Sequence, residues 1–292
     1  MTGPRLFCFG LGYSAKVLAR RLLAEGWSVA GTTRAEDGLA GLGEIGVEAH
    51  LFARGRPLDP AALKGATHLL ASVPPDDQGD PVLAEHGADI AKLDLSWAGY
   101  LSTTGVYGDW RGAWVDESEP LRPSLERSWR RVAAETGWQD LLRAHATPIH
   151  LFRLAGIYGP GRSAVDSVRT GRAQRVIKRG QIFCRIHVED IATVLRASMD
   201  RPNPGAIYNV SDDLPCPPQD PITHACELLG VEPPPEIPFE EARLNPMQAS
   251  FFHDSKRVRN DRIKRELGVT LRYPTYREGL RAIVDASPPS PG

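Results

Sequence analysis

The sequence predicts an α/β fold, a doubly wound parallel sheet with helices on both faces, followed by a smaller C-terminal region. From residue 5 to about residue 155, short apolar runs alternate with longer segments of helical period, which is the pattern of a parallel sheet covered by helices. A glycine-rich turn joins the first apolar run to the first helical segment. Proline and glycine then punctuate the second half of the chain, which indicates several short elements rather than another regular alternating domain.

Six strands and two long helices follow from this pattern. The helices are expected at residues 15–24, which carry leucines on one face, and at residues 125–145, which have a polar face. The strands are expected at residues 5–9, 28–32, 47–52, 68–71, 97–102 and 149–154.

The length and composition are those of an ordinary globular protein. The 292 residues, 41% of them hydrophobic, can bury a large core. We expect a sheet domain over residues 1–155, a smaller substrate-binding region over residues 156–285 that is interleaved with it, and a flexible tail over residues 286–292. Because 35 Lys and Arg nearly balance 36 Asp and Glu, no global field favours nucleic acid or an anionic membrane.

The sequence gives no clear sign of a signal peptide, a membrane span, a metal site or disulfide bonds. No run approaches the roughly 18 apolar residues that a membrane span needs, and the first residues enter a strand too short for a signal-peptide core. A cytoplasmic location is therefore expected. Neither a metal site nor a disulfide framework is indicated, because no CxxC spacing occurs among Cys8, Cys184, Cys216 and Cys226.

The turn after the first strand has the Gly-x-Gly-x-x-Ala pattern of a dinucleotide-binding loop. Gly10 permits a tight turn, Gly12 permits close approach of the backbone to a pyrophosphate, and the small Ala15 permits close packing of helix on strand. Tyr13 and Ser14 open the helix, whose free N–H groups favour phosphate. Glycines in such a turn also occur where only a tight connection is needed, so the pattern gains weight from its strand and helix context.

The end of the second strand favours NADP(H), with NAD(H) as the alternative. An NAD-preferring site would place Asp or Glu there, on the ribose 2′-hydroxyl, whereas this chain has Thr33 and Arg34. A guanidinium offers planar, charged donors to a 2′-phosphate. The other interpretation of Arg34 is a solvated side chain at a strand end.

A resemblance to a known family runs through most of the chain. Residues 101–108 (LSTTGVYG) resemble the extended short-chain dehydrogenase/reductases, which include NAD-dependent epimerase/dehydratase enzymes of nucleotide sugars. Residues 153–161 (RLAGIYGPG), 185–192 (RIHVEDIA) and 205–211 (GAIYNVS) resemble later segments in the family's order. The resemblance implies a Rossmann-type domain, a bound NAD(P), and a nicotinamide contact at Gly156.

Further cofactor contacts are expected after the fourth strand. The family backbone passes the cofactor's ribose and pyrophosphate there, which places Ser72, Val73 and Pro74 beside the dinucleotide. A loop is expected at this point in any case, because the prolines bar a helix.

The family's catalytic pair, Tyr-x-x-x-Lys, is replaced. Family spacing puts Arg127 at the tyrosine position and Arg131 at the lysine position. Arginine stays protonated and has no acceptor, so Arg127 cannot take over the proton transfer. Arg131 keeps a positive charge for a ribose or phosphate contact, and Arg127, Arg131 and Glu135 are expected to form either a cationic shelf for the cofactor or a solvated helix face. The chain thus resembles the atypical members of the superfamily.

Two hydroxyl groups are the catalytic candidates that the resemblance leaves. Thr103 falls at the position of the family hydroxyl that binds the substrate carbonyl, although a threonine needs an activating partner to exchange protons. Tyr107 is the nearest phenol and is expected to line the substrate pocket. It would need a cation such as Arg131 to lower its pKa.

Substrate contacts are expected from three further residues. Thr104 neighbours Thr103, Arg162 follows a glycine turn and suits an anionic group at the crevice, and His187 lies in a family pocket segment. The other interpretation of His187 is a structural hydrogen-bonding residue before a helix that Asp190 caps.

Two functions remain open at this point. One is an NADP-dependent oxidoreductase or epimerase acting on a small or nucleotide-linked carbonyl or hydroxyl compound. The other is a dinucleotide-binding redox sensor or assembly protein without turnover. The family also implies a homodimer through the helix at residues 125–145. The charged stretch of residues 254–260 (DSKRVRN) is expected to be a solvated surface.

Overall fold

The computed structural model describes residues 3–286, and these build a seven-stranded, fully parallel sheet. Its strands in chain order are β1 (Arg5–Phe9), β2 (Ser28–Thr33), β3 (Glu48–Leu51), β4 (His68–Ala71), β5 (Trp97–Thr103), β7 (Ile149–Leu154) and β11 (Ile207–Val210). Across the sheet they run in the order β3, β2, β1, β4, β5, β7, β11. The predicted α/β class is confirmed, and all six predicted strands are present within one or two residues.

Helices cover both faces of the sheet. On one face, α1 (Tyr13–Ala24) and α6 (Val188–Asp200) pack into a core with side chains of β1, β7 and β11. On the other, α3 (Pro81–Ile90) and α4 (Glu126–His145) enclose a second core that includes Trp138. The apolar faces at helical spacing are therefore buried as their sequence pattern predicts.

The remaining elements are short and lie mostly in the second half. Three further parallel pairs join β8 (Gly156–Tyr158) to β10 (Arg185–His187), β9 (Arg175–Ile177) to β12 (Glu236–Pro238), and β6 (Trp114–Val115) to β13 (Arg257–Val258). The other helices are α2 (Asp37–Gly43), α5 (Ala164–Arg169), α7 (Asp220–Leu229), α8 (Pro246–Ser250), α9 (Asp261–Leu267) and α10 (Tyr276–Asp285).

A separate core supports the C-terminal region. It is formed by α5, α7 and α10 around Val165, Ala225 and Leu280. The chain crosses between this region and the sheet more than once, because α6 and β11 follow residue 155 in sequence but pack with the main sheet. Of the predicted tail 286–292, residues 287–292 lie outside the described part of the chain. Within residues 3–286, no helix has the length and apolarity to cross a bilayer.

The strand order fixes where a ligand can enter. β1 lies between β2 and β4, and the chain leaves β1 and β4 in opposite directions along the sheet. In open α/β sheets, ligands bind at such a reversal, beyond the carboxyl ends of the strands. Gly10 follows β1 and Ser72 follows β4, so these two loops lie side by side at that reversal.

Candidate functional site

Gly10 makes the turn at the carboxyl end of β1. Its φ is +83°, a left-handed conformation that glycine adopts without strain. Its N–H donates to Thr32 Oγ1 at 2.8 Å. A methyl group on Gly10 would lie 2.9 Å from Val73 Cγ2, so the turn is closed against the loop after β4.

Gly12 and the start of α1 face open space. Gly12 is the N-cap, in an extended conformation and without a side-chain cap, and nothing lies within 4 Å of a methyl group built on it. Ser14 and Ala15 are buried, which seats the helix on the sheet. Within residues 3–286 no acceptor takes the N–H groups of Tyr13 and Ser14. The first turn therefore offers free donors and a partial positive charge to an anion.

The loop after β4 forms the opposite wall. Ser72 donates its N–H to Phe9 O at 2.9 Å and its hydroxyl to Gly10 O. Val73 packs against Gly10, and Pro74 follows in the same loop. These are the three residues expected beside the dinucleotide, and the loop that carries them adjoins the glycine turn.

Arg34 stands at the carboxyl end of β2, where it is exposed. Thr33 is half-buried beside it. Arg54, from the neighbouring β3 side, is bonded to Asp76 at 2.7 Å. In the described part of the chain, Arg34 makes neither a hydrogen bond nor an ion pair. Its guanidinium is therefore available to a ligand.

Thr103 is the last residue of β5, at the next position along the crevice, and Thr104 begins the turn that follows. Thr103 Oγ1 accepts the N–H of Gly105 at 3.1 Å, and the side chain is half-buried. Thr104 is 9% exposed. The hydroxyl of Thr103 keeps its own proton free to donate, which is the capacity that orienting a carbonyl requires.

Tyr107 does not reach the crevice. It has no exposed surface, its hydroxyl donates to Asn209 Oδ1 at 2.7 Å and accepts from Arg153 Nη1 at 2.9 Å. Burial raises the pKa of Tyr107 to about 12, although Arg153 opposes the shift. The expected roles of Tyr107 in substrate binding and proton transfer thus lack an accessible phenol, because the hydroxyl serves a buried network.

Arg127, Arg131 and Glu135, the helix face expected to form a shelf for the cofactor, lie in three different environments. Arg131 Nη1 donates to Tyr100 OH at 2.9 Å and to Leu101 O at 2.8 Å, so part of its guanidinium is engaged with β5. Arg127 lies over the Phe251 ring at 4.9 Å, away from β5. Glu135 is buried in an ion pair with Arg153 at 2.7 Å. The three side chains do not form one cationic surface.

The C-terminal region closes the other end of the crevice. Gly156 starts β8 and donates its N–H to Cys184 O at 3.0 Å. Tyr13 donates its hydroxyl to Pro160 O at 2.9 Å, and Arg162 lies 5.9 Å from the Tyr13 ring. The start of α1 and the loop with Arg162 are therefore in contact.

A cavity of about 470 Å³ opens beside Arg162. Arg172 and Arg185 also line it, with Tyr158 and Tyr276 as aromatic walls. Asp166 is the one carboxylate among the lining residues, so the three arginines leave an excess of positive charge that suits an anionic group. The sequence predicts a ligand contact only for Arg162, because Arg172 and Arg185 come from separate segments that the fold brings together.

His187 is buried and caps a helix. It is 2% exposed, its Nδ1 accepts the N–H of Glu189 at 3.2 Å as the cap of α6, and its ring packs against Tyr273 at 4.1 Å. Burial lowers the pKa of His187 to about 4, and Arg272 adds to the shift. The expected substrate contact therefore lacks an accessible imidazole. Asp190 does not cap the helix; it accepts the N–H of Arg272 at 2.7 Å.

Comparison with known proteins places the chain in a family. No protein-family model matches it. The solved structure of a functionally unknown conserved protein from Silicibacter pomeroyi DSS superposes with a TM-score of 0.89 at 52% identity, over 97% of this chain and 99% of that one. The chain belongs to the family of that conserved protein. Protein YeeZ of Escherichia coli (strain K12) is 28% identical over 284 residues, 91% of this chain and 94% of YeeZ.

More distant solved structures share the family's fold. A dTDP-glucose 4,6-dehydratase from Bacillus anthracis in complex with NAD has a TM-score of 0.75 at 14% identity, over 97% of this chain and 96% of that one. A UDP-glucuronic acid 4-epimerase from Bacillus cereus in complex with NAD has a TM-score of 0.76 at 14% identity, over 96% and 97%. The epimerase/dehydratase fold is therefore shared from end to end.

Proposed function

We propose that the chain binds a nicotinamide dinucleotide, NADP(H) in preference to NAD(H), as an atypical short-chain dehydrogenase/reductase. The observation that carries the proposal is the open N-terminus of α1 at Gly12, which faces the reversal point of the sheet. The residues fit the cofactor: the glycine turn leaves room for a pyrophosphate, and Ser72 to Pro74 form the facing wall. Neighbouring folds with NAD in their complexes support this assignment.

Arg34 carries the preference for NADP(H). A 2′-phosphate at the end of β2 would receive charge-assisted hydrogen bonds from this unpaired guanidinium. Arg34→Ala is expected to weaken NADPH binding by about 1.5–3 kcal/mol, roughly 10- to 150-fold, with little effect on NADH. Isothermal titration of both cofactors measures the difference, and Arg20→Ala on the exposed face of α1 is the matched control. An equal loss for NADPH and NADH would refute the 2′-phosphate contact.

The reaction that this site fits best is oxidation, reduction or epimerisation of a small or nucleotide-linked carbonyl or hydroxyl compound. The cofactor would supply or accept hydride when bound. Thr103 would hold the carbonyl or hydroxyl oxygen, and Arg162, Arg172 and Arg185 would hold an anionic part of the substrate. The B. cereus epimerase, whose structure also exists with UDP-glucuronic acid and NAD, supports a substrate of this class.

A second function is favoured by the helix face at Arg127 and by the burial of Tyr107. Neither side chain can transfer a proton in the crevice, which is what a redox sensor or assembly protein without turnover would show. The two functions are separated by following NADPH absorbance with a panel of aldehydes, ketones and nucleotide sugars. NADPH binding together with turnover of a panel member supports the enzyme, whereas binding without turnover supports the sensor.

The proposal also covers the binding partners and the cellular location of the protein. The nearly balanced charge favours a small-molecule substrate over nucleic acid. The family resemblance supports a homodimer through α4, and the cytoplasmic location rests on the sequence signals alone. Sedimentation velocity tests the dimer directly.

A further inference from the structure

A second, smaller space adjoins the cavity beside Arg162. Its volume is about 260 Å³, next to the 470 Å³ of the first. We call the larger space the arginine chamber and the smaller one the phenylalanine chamber. The two are continuous, because they share five lining residues: Ser167, Arg172, Pro218, Ile222 and Gln248. One ligand can therefore occupy both chambers at once.

The guanidinium groups of the arginine chamber lack carboxylate partners. Arg162, Arg172 and Arg185 line the chamber, and within residues 3–286 none of them has a carboxylate oxygen within 4 Å. In hydrogen bonds to the described part of the chain, Arg172 uses only its Nε and Arg185 only its Nη1. The Arg162 guanidinium lies over the Tyr13 ring at 5.9 Å. Most of the N–H donors of the three side chains are therefore available to a ligand.

The acidic side chains around these arginines do not cancel their charge. Asp166 lines the chamber and accepts the Ser163 hydroxyl at 2.6 Å. Asp212 is 1% exposed, and burial raises its pKa to about 8 against the effect of Arg185, so its carboxyl is mostly neutral at pH 7. Asp220 is half-buried and lies more than 4 Å from Arg185. An excess of positive charge is left for an anionic group.

The phenylalanine chamber is mostly apolar. Six of its lining residues have apolar side chains that present no hydrogen-bonding group: Val176, Phe183, Ile222, Leu244, Phe251 and Phe252. Phe183 and Phe252 meet edge to face, with ring centroids 5.2 Å apart. Of the polar lining residues, Ser167 donates its hydroxyl to Ser163 O at 3.0 Å, and Gln248 Oε1 accepts the N–H of Asn245 at 3.0 Å. Both side chains are thus engaged within the protein.

This lining suits a compact apolar group better than a nucleoside. A cavity of about 150 Å³ is enough to hold benzene, so the phenylalanine chamber admits one substituted ring. A nucleoside carries several polar atoms on its base and ribose, whereas Arg172 and Gln174 are the polar side chains that remain in the chamber. Polar atoms buried without partners would cost free energy.

Contacts join both chambers to the crevice at the carboxyl ends of the strands. The start of α1 contacts the loop that carries Arg162. At the phenylalanine chamber, Arg127 of the first turn of α4 lies over the Phe251 ring at 4.9 Å. That turn lies against the end of β5, because a methyl group on Gly105 would be 3.0 Å from Ser128 Oγ. The double cavity thus borders the crevice on its cofactor side and on its β5 side.

We propose that the two chambers bind a small amphipathic anion, with a phosphate or carboxylate at one end and a compact apolar group such as an aryl ring at the other. The arginines bind the anionic end through charge-assisted hydrogen bonds, and burial of the apolar end adds affinity. This inference rests on the proposed oxidoreductase or epimerase function, which makes the ligand a substrate. It selects the small carbonyl or hydroxyl compounds of that function over the nucleotide-linked ones.

Isothermal titration at fixed ionic strength tests the class of ligand. The probes are inorganic phosphate, phenyl phosphate, phenylpropionate and uridine monophosphate. Phenyl phosphate is expected to bind about 10-fold or more tightly than inorganic phosphate, because the ring is buried, and more tightly than uridine monophosphate. Comparison of phenyl phosphate with phenylpropionate identifies the preferred anion. Equal affinity for inorganic phosphate and phenyl phosphate, or tighter binding of uridine monophosphate, would overturn the proposal.

Arg172→Gln locates the anionic end. Arg172 is exposed, so the substitution should leave the fold intact. The anionic probes are expected to bind about 10-fold or more weakly, with the Kd for NADPH within threefold of wild type. Because phosphate could also occupy the N–H groups of α1, this loss rather than binding alone places the ligand. Arg179→Gln, exposed and outside both chambers, is the matched control. Equal affinities in the two variants would overturn the proposal.

Phe251→Ser tests the apolar end. The Phe251 side chain is 54% exposed, so its loss should cost little stability. The preference for phenyl phosphate over inorganic phosphate is expected to fall about threefold or more, while the Kd for inorganic phosphate stays the same. Trp114→Ser, at a residue that is 46% exposed and outside both chambers, is the matched control. An unchanged preference in Phe251→Ser would overturn the assignment of the apolar end.

The outcomes separate this inference from the function on which it rests. Binding of phenyl phosphate that depends on Arg172, without turnover of any compound in the carbonyl panel, defeats the proposed enzyme and leaves the binding site. Turnover of nucleotide sugars in preference to small aryl carbonyl compounds, at equal rates in wild type and Arg172→Gln, defeats this inference and leaves the enzyme.

Discussion

The Gly12→Ala substitution adds one methyl group, which should weaken cofactor binding without destabilising the fold. Gly12 has φ −84° and ψ −163°, which alanine adopts without strain, and its added methyl group meets nothing within 4 Å in the protein. Glycine is somewhat better than alanine at an N-cap, while alanine reduces the entropy of the unfolded chain. The free energy of unfolding is therefore expected to change by no more than about 1 kcal/mol.

The same methyl group should interfere with a bound pyrophosphate. Phosphate oxygens that accept N–H groups of α1 would lie about 2.9 Å from the donor nitrogens, and a methyl carbon in this space needs about 3.5 Å from its neighbours. The phosphate must then move away, and the loss of one charge-assisted hydrogen bond costs about 1.5–3 kcal/mol. The Kd for NADPH should rise roughly 10- to 150-fold.

Quenching of tryptophan fluorescence by NADPH measures the Kd, and urea unfolding measures the stability. Gly87→Ala is the matched control, because this glycine lies inside α3 and its added methyl group also meets nothing within 4 Å; it should gain stability by helix propensity and bind NADPH normally. A folded Gly12→Ala protein with the wild-type Kd would refute the placement of the pyrophosphate.

Three further predictions concern buried ionisable side chains. Glu135→Gln leaves the Arg153 guanidinium buried without its counter-charge and should cost about 3 kcal/mol or more in urea unfolding; a loss below about 1 kcal/mol would contradict a structural role for the pair. Burial raises the pKa of Asp212 to about 8 against the effect of Arg185, so the native state holds the extra proton and stability should fall as pH rises from about 4 to 8; Asp212→Asn should flatten this dependence, and an unchanged slope would count against it. Because the pKa of His187 is lowered to about 4, the unfolded state binds more protons below about 6.5 and stability should fall from there toward pH 4. An imidazole NMR titration with an ordinary midpoint would contradict that prediction.

The sheet could be predicted from the sequence because its signals are local. Each strand of a buried parallel sheet is a short apolar run, and each covering helix repeats its apolar face every three or four residues. The glycine turn can also be predicted from the sequence, since Gly10 adopts a left-handed φ and Gly12 leaves space for a ligand to approach the backbone. Arg34 was found by its position at the end of β2.

The hydrogen bonds around Tyr107 are harder to predict from the sequence, because the residues that make them are distant in sequence. The burial of Tyr107 depends on Arg153 and on Asn209, 46 and 102 residues away, and no local pattern reports such a network. Burial also decides the environment of His187, and it corrects the solvated surface expected at residues 254–260, where Lys256 and Val258 are buried.

A crystal structure of the protein with NADPH tests the central claim most directly. We expect the pyrophosphate within hydrogen-bonding distance of the Tyr13 or Ser14 N–H groups, the 2′-phosphate on Arg34, and the nicotinamide near Thr103. NADPH bound elsewhere, or a crevice that stays empty at saturating NADPH, would contradict it.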